Sequence, residues 1–399
     1  MARPTHSTSC PLHGARSKSS TVALLCAALT FVALGAAAGP REQAKRMHDR
    51  LAGVPPTEVE VDAMSALISA GNANAAALSV TESEPFYNVT LKNFIAPATN
   101  REQSVFVPLN DYTATFIGMV RDDEPMNTLL SADIVYVGDD VQNLPAYSSA
   151  NNDHYETIES RGLSLRDVLV RRTQSQLTSL PASATAGIMT TRGAAEAFFI
   201  DGTNRAMFRF TLLNHLCRDL EQVADASRPP DRIRQDVSRS PGGDSRLFLN
   251  NCIGCHSGMD PLAQAFAYYD FDESIGQLVY TENQVQEKYG INEDTFKFGF
   301  VTPDDSWDNY WRSGRNEVLG WDPSLPGAGR GAKALGDELA STEVFASCQV
   351  TKVFRNVCLR EPVDGADRAQ IDAMTASFTS NGYALRQVFA DAAVYCMGE

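Results

Sequence analysis

The stretch Asn250-Asn-Cys252-Ile-Gly-Cys255-His256-Ser-Gly-Met-Asp260-Pro261 decides how the rest of the chain is interpreted. On a helical turn, residues i, i+3 and i+4 lie on one side. The thiols of Cys252 and Cys255 can then form thioethers with the two vinyl groups of a porphyrin, while His256 faces the iron. C-x-x-C-H is the attachment signature of c-type haem. The residue frequencies of the chain give on the order of 0.002 chance occurrences of this signature.

Two other interpretations of the paired cysteines are weaker. A thioredoxin-like C-x-x-C follows a strand and usually an aromatic residue, whereas Asn250 and Asn251 precede this one. A zinc site needs a second ligand pair, and the sequence contains no second C-x-x-C and no H-x₃₋₅-H. The sequence therefore predicts one covalently bound haem c, attached to Cys252 and Cys255, with His256 as the proximal ligand of the iron.

The second axial ligand of the iron is not marked by any motif. Met374 and His215 are candidates, but each has an ordinary structural explanation. His215 falls on the polar face of a predicted helix, which is typical of a surface histidine, and Met374 lies on an apolar stripe, which is typical of a core methionine. Methionine, histidine and an open position therefore remain alternatives for the distal ligand.

The N-terminus, residues 1–38, has the form of a secretory signal peptide. Three basic residues precede a fourteen-residue apolar run over residues 21–34, and Ala36 and Ala38 occupy positions −3 and −1 of a cleavage site. The apolar run is shorter than the ~20 residues that span a bilayer, and no later stretch is apolar enough to do so. We therefore expect a periplasmic or secreted protein with no membrane span in the mature chain.

The charge balance is strongly acidic. The 399 residues include 34 Lys and Arg against 49 Asp and Glu, a net charge of −15, which becomes −18 when the three bases of the signal peptide are removed. Such a chain repels phosphate backbones, so nucleic-acid binding is excluded as a function. The same charge favours a basic protein as redox partner.

Four cysteines remain in the mature chain after haem attachment: Cys217, Cys348, Cys358 and Cys396. An even number of cysteines in an oxidising compartment indicates two disulfides. Three connectivities are possible, and the sequence does not choose among them.

Hydrophobic periodicity predicts a mainly α, multi-domain protein. A mostly helical N-terminal region over residues 39–162 is followed by a haem c domain over 163–332 and a C-terminal helical bundle over 333–399. Thr57 and Glu60 form a capping box that opens a helix through Ile68. Three apolar stripes at helical spacing predict three helices in the last sixty residues. Further helices are predicted over residues 111–130, 163–180 and 204–224.

The motif and its surroundings resemble the large planctomycete-type cytochrome c proteins. These carry C-x-x-C-H, then Met-Asp-Pro and an aromatic-acidic stretch, here Met259-Asp-Pro261 and Tyr268-Tyr-Asp-Phe271. Weaker similarity covers Gly187-Ile-Met-Thr-Thr191, Ser341–Cys348 and Gly382–Arg386. The resemblance spans about residues 185–275 and 335–396. It implies a secreted, mostly helical haem protein, without the second C-x-x-C-H domain of larger members.

Three functions are compatible with a single haem c. The first is a monohaem cytochrome that transfers electrons outside the cytoplasm. The second is a haem enzyme of the peroxidase or oxygenase type, because an electron carrier needs only about one hundred residues and this chain is far longer. The third is an accessory cytochrome subunit of a larger complex. No catalytic residue can be assigned from the sequence, which favours the electron carrier.

The signal peptide makes a direct prediction. Cleavage after Ala38 should give a mature protein whose N-terminal sequence begins Gly39-Pro40-Arg41. Edman sequencing of the functional protein purified from its cell envelope or medium checks this. An intact Met1 terminus on that protein would contradict both the export and the argument for disulfides.

Overall fold

A computed structural model describes residues 38–237, 244–291, 293–294 and 298–398. The predicted signal peptide therefore lies outside the described residues, apart from Ala38. The chain from Ala38 onward forms one compact unit. Within the described ranges, no helix is long and apolar enough to cross a membrane.

Helices dominate the described part of the chain, which confirms the prediction of a mainly α protein. The helical segments, numbered α1 to α16 in chain order, are Pro40–Ala52, Glu58–Ser69, Ala73–Val80, Lys92–Ile95, Asp111–Arg121, Asp153–Ser160, Leu165–Val168, Gln174–Leu177, Arg192–Phe198, Arg205–His215, Ser245–Leu247, Ile253–Ala263, Gly331–Ala340, Glu343–Cys358, Gly365–Ser380 and Leu385–Cys396.

Short strands form three separate antiparallel pairs. The strands β1 to β6 are Val135–Gly138, Leu169–Arg172, Tyr269–Asp272, Gln277–Tyr280, Ser306–Asp308 and Ala328–Arg330. They pair as β1 with β2, β3 with β4 and β5 with β6, with Tyr136 opposite Arg171 and Phe271 opposite Leu278. The last two pairs follow α12 in the chain, and β5 packs beside that helix.

The capping box at the start of α2 is confirmed. The amide of Glu60 donates to the hydroxyl of Thr57 at 3.3 Å, and the amide of Thr57 donates to the carboxylate of Glu60 at 2.7 Å. Both amides would otherwise lack partners in the first turn of the helix. The local signal and the observed helix start therefore agree.

Two predicted helices are wrong in length. The helix expected over 111–130 ends at Arg121, because Asp123 adopts a left-handed backbone with φ of 51°. The helix expected over 163–180 is replaced by α7, β2 and α8. There the stretch Leu169-Val-Arg-Arg172 pairs with β1 instead, and long-range strand pairing outweighs the helical pattern.

The helix expected over 204–224 is also shorter, and both of its faces are buried. Helix α10 ends at His215, and Cys217 has a left-handed φ of 52°. The face predicted to be polar is buried, with Thr211 and His215 only 2% and 1% exposed. His215 is therefore not a surface histidine. The hydroxyl of Tyr112 lies 2.6 Å from its Nε2 atom and gives that nitrogen a hydrogen-bond partner in the core.

The three predicted C-terminal helices are present as α14, α15 and α16. Helix α16 packs against α14 and α15 and also against α1 and α3 of the N-terminal region. Phe389 of α16 meets Phe86 edge to face, with ring centroids 5.2 Å apart. One main hydrophobic core contains side chains from all three predicted regions.

Two disulfides join distant parts of the chain, as the cysteine count predicts. Cys217 pairs with Cys348, and Cys358 pairs with Cys396. The first bridge fastens the end of α10 to α14, and the second fastens the end of α14 to the end of α16. The structure thus selects one of the three connectivities that the sequence leaves open.

Removing either bridge should destabilise the fold, more so for the longer loop. In the chain-entropy account the cost rises with the number of residues enclosed, here separations of 131 and 38. We expect Cys358→Ala with Cys396→Ala to lower the free energy of unfolding by about 2–4 kcal/mol, and Cys217→Ala with Cys348→Ala by about 1 kcal/mol more. Denaturant titration measures both. Equal stability of either double variant and the parent protein would contradict the assigned bridge.

Candidate functional site

The C-x-x-C-H motif lies at the start of helix α12. A π-helical turn over Phe248–Cys252 leads into the helix, so that Cys252 is its N-terminal cap and Cys255 and His256 belong to its first turn. Positions i, i+3 and i+4 of a helical turn lie on one side of the helix. The local structure therefore agrees with the arrangement expected from the spacing.

The two motif thiols differ from the other described cysteines. Cys252 and Cys255 are unpaired and partly exposed, whereas the four remaining described cysteines form disulfides. Burial raises the pKa of the Cys255 thiol, and the carboxylates of Glu221 and Asp219 raise it further. A thiol that attacks disulfides or carbonyl groups needs a lowered pKa. The raised pKa leaves the Cys255 thiol protonated and a poor nucleophile at neutral pH.

The inner side of the motif packs on the segment 220–226. The amide of Asp225 donates to the carbonyl of Gly254 at 2.8 Å, and a Cβ on Gly254 would lie 3.4 Å from that of Ala224. The Cys255 sulfur lies 3.6 Å from the carbonyl oxygen of Leu220. The segment 220–226 therefore packs against one side of the first turn of α12, while the motif side chains stay partly exposed.

His256 is held by a carboxylate one turn further along α12. Its Nδ1 atom lies 3.0 Å from Oδ1 of Asp260, which is fully buried, while the imidazole itself is 19% exposed. No side chain or carbonyl in the described part of the chain bonds to its Nε2 atom. The ring is thus fixed at one nitrogen and accessible at the other.

Asp260 belongs to a buried network of charges. Nε and Nη2 of Arg205 lie 2.7 and 3.0 Å from its two oxygens, and Arg205 also pairs with Asp236. Arg234, only 1% exposed, has Nη2 4.0 Å from Asp260 and 2.7 Å from the hydroxyl of Thr203. This network connects α10, the segment 234–236 and α12 around one carboxylate.

The network determines which ring nitrogen of His256 carries the proton. Burial alone raises the pKa of Asp260, but the charges of Arg205 and Arg234, with the hydrogen bonds from His256 and Arg205, lower it well below its usual range. Asp260 is therefore an acceptor, and Nδ1 of His256 must donate. In the neutral ring the lone pair then lies on Nε2. A carboxylate or carbonyl that fixes one ring nitrogen is the usual support of a metal-bound histidine.

The other three described histidines have structural partners. His48 Nδ1 contacts the Val54 carbonyl at 3.0 Å, and both ring nitrogens of His154 are bonded, to the Pro145 carbonyl at 2.6 Å and the Gly138 amide at 2.8 Å. His215 contacts Tyr112 through Nε2. Among the histidines of the described ranges, His256 alone combines an anchored ring with an exposed, unbonded nitrogen.

The structure does not single out either candidate for the distal ligand. Met374 is 2% exposed in α15, within the main hydrophobic core. His215 lies ten residues beyond Arg205 on α10, about 15 Å along the helix axis at 1.5 Å per residue. Because Arg205 is the residue that reaches Asp260, His215 stands at the opposite end of α10 from the His256 support.

A glycine brings a tryptophan against the motif helix. A Cβ on Gly258 would lie 1.8 Å from the Nε1 atom of Trp311, so only glycine fits beneath the fully buried indole. Gly258 follows His256 by two residues. Sequence reasoning missed this contact, and it also missed Arg205 and Arg234. The only local signal was Asp260, whose i+4 spacing from His256 places it on the same face of the helix.

Exposed apolar side chains flank the motif. Leu247 and Leu249, just before Cys252, are 47% and 55% exposed, and Val301 is 61% exposed. The segment that carries Val301 is joined to the network, because Phe300 exchanges backbone hydrogen bonds with Ile233 and Gln235. Leu247 and Leu249 leave apolar surface uncovered directly before Cys252, and such surface often marks a site where a ligand or partner binds. A flat, apolar macrocycle bound through Cys252, Cys255 and His256 would fit next to these exposed apolar side chains.

A bare metal site is less well matched. Nowhere in the described residues do three or more His, Cys, Asp or Glu side chains come together in a way that could hold a metal ion.

Comparison with protein-family models, with curated proteins and with solved structures finds no match to this chain.

The buried network makes a prediction about stability. Asp260→Asn leaves Arg205 and Arg234 without their shared carboxylate, and we expect it to lower the free energy of unfolding by about 3–5 kcal/mol. Asp219→Asn, which breaks the more exposed pair with Arg209, should cost less than about 1 kcal/mol. Denaturant titration of both variants compares them. Similar small losses in the two would refute the importance assigned to Asp260.

Proposed function

We propose that the chain is a monohaem c-type cytochrome that transfers electrons outside the cytoplasm. Cys252 and Cys255 attach the porphyrin, and His256 is the proximal ligand of the iron. The observation that carries the proposal is the state of His256, whose Nδ1 is anchored to Asp260 while Nε2 is exposed and unbonded beside two unpaired thiols.

The haem would supply a reversible one-electron change at its iron. The chain's own residues supply position and charge. Asp260 keeps the imidazole in one orientation and one tautomer by accepting the Nδ1 proton in a hydrogen bond. Arg205 and Arg234 compensate the charge of Asp260, so that a buried carboxylate is tolerated next to the site.

Transfer of electrons is favoured over catalysis by the limited chemistry of the neighbourhood. The charged groups around His256 are engaged with one another, as Arg205 is with both Asp260 and Asp236. Cys255 has a raised pKa and is not an activated nucleophile. Leu247 and Leu249, exposed just before Cys252, leave apolar surface where a partner protein can approach the motif.

The proposed location and partner follow from the rest of the chain. Two disulfides suit an oxidising compartment, and the N-terminal 38 residues have the form of an export signal. A mature net charge of −18 attracts a basic redox partner over distances of about one Debye length.

The covalent attachment of haem provides the test. The full chain, expressed in a host with a c-type haem maturation system, should keep haem-dependent peroxidase staining after denaturing electrophoresis. Cys252→Ser with Cys255→Ser should abolish the stain, because both thioether bonds are lost. His256→Ala should change the visible spectrum of the native protein, because the iron loses its proximal ligand.

A matched control separates haem attachment from folding. Cys358→Ser with Cys396→Ser also removes two thiols, but these belong to a disulfide at the end of α16. It should keep the stain at equal protein loading. A parent protein without stain, or a stain that survives loss of Cys252 and Cys255, would refute the proposal.

A further inference from the structure

A cavity of about 770 Å³ lies between the segment 217–222 and helix α14. Its size falls within the range of small-molecule sites. Phe94, Leu213 and Val344 form an apolar wall, while Arg218, Lys352 and Arg355 bring three cationic groups to the polar side. A concentration of positive charge is unexpected in a chain with a net charge of −15.

Lys352 has no acidic partner in the described ranges. Its Nζ donates to the carbonyl of Asn214 at 3.0 Å and lies 5.0 Å from the centre of the Phe94 ring. Neither contact neutralises its charge. Burial lowers the pKa of Lys352 to about 8, so that most molecules still carry the positive charge at pH 7. The nearby His215, whose pKa is lowered by burial and by the charge of Lys352, does not compensate it.

Arg218 is also without a carboxylate among the described residues. Its Nη1 donates to the carbonyl of Cys217 at 3.0 Å. The acidic residue of the cavity wall, Asp219, is already paired with Arg209 at 2.6 Å, and Arg355 is paired with Glu361 at 2.6 Å. Two positive charges therefore line the same cavity without a carboxylate partner among the described residues, an arrangement that attracts an anion.

We propose that this cavity binds an organic monocarboxylate, with its carboxylate between Arg218 and Lys352 and its apolar body against Phe94, Leu213 and Val344. Arg218 supplies the planar donors that match a carboxylate, and Lys352 supplies a partly desolvated point charge. A small inorganic anion would leave the apolar wall without a contact. The wall therefore selects an amphipathic ligand over phosphate or sulfate.

The cavity is built independently of the haem site. The Cys217–Cys348 disulfide lies in its wall and holds the segment 217–222 against α14. The same segment contacts the motif from its other side, through the Leu220 carbonyl and Cys255. Binding of the carboxylate requires only the polypeptide, so its failure and a failure of haem attachment are separate results.

Isothermal titration of the purified full chain at pH 7, in a buffer without carboxylates, tests the proposal. The probe is 4-phenylbutyrate, and its neutral amide, 4-phenylbutanamide, is the matched comparison. The acid should bind at one site and the amide at least about tenfold more weakly, because charge-assisted hydrogen bonds are lost. Inorganic phosphate should bind no better than the amide.

Two variants and one control variant test whether the probe binds in the cavity. Lys352→Met and Arg218→Gln should each weaken binding of 4-phenylbutyrate by about tenfold, the loss of one charge-assisted contact. Lys333→Met is the control, because Lys333 also donates to a backbone carbonyl at 3.0 Å, that of Ala182, but lies outside the cavity wall. It should bind as the parent protein does.

Thermal melting of each variant shows whether that variant is folded. If Lys352→Met does not fold, Arg218→Gln and the comparison of acid with amide still decide the question on folded protein. Equal binding of acid and amide, no binding of the acid, equal weakening by Lys333→Met, or phosphate binding as tight as that of the acid would each overturn the proposal.

Discussion

The buried carboxylate of Asp260 is the constraint on which the site depends. It lies in α12 with no exposed surface, and it is tolerated there because Arg205 approaches it from α10 and Arg234 from the segment that follows. Breaking such a pair costs far more than the pair contributes. The same carboxylate accepts the Nδ1 proton of His256. One group therefore fastens two helices together and decides which nitrogen of the histidine faces outward.

The motif itself was predictable because its information is local. Two cysteines and a histidine within five residues need only a helical turn to share one side, and α12 supplies that turn. The mainly helical class, the capping box at Thr57 and the existence of two disulfides were likewise predictable from short-range pattern or from a count. The pairing of Cys217 with Cys348 was not, because a separation of 131 residues carries no local signal.

The errors have a common physical cause. His215 was assigned to a surface because the residues around it on one helix face are polar, yet Tyr112 supplies a hydrogen-bond partner and allows the ring to be buried. The segment 169–172 has a helical pattern but pairs with β1. In each case a partner distant in sequence outweighs the local preference.

The central claim is that His256 and its two neighbouring thiols hold a covalent haem, and the pyridine haemochrome spectrum of the purified protein tests it most directly. Saturation of both vinyl groups by Cys252 and Cys255 moves the reduced α-band to a shorter wavelength than that of free protohaem. We expect this c-type band at one haem per chain, retained in the protein after extraction with acidified acetone. A protohaem-type band, a band lost on extraction, or no band in protein made with a working maturation system would contradict the account.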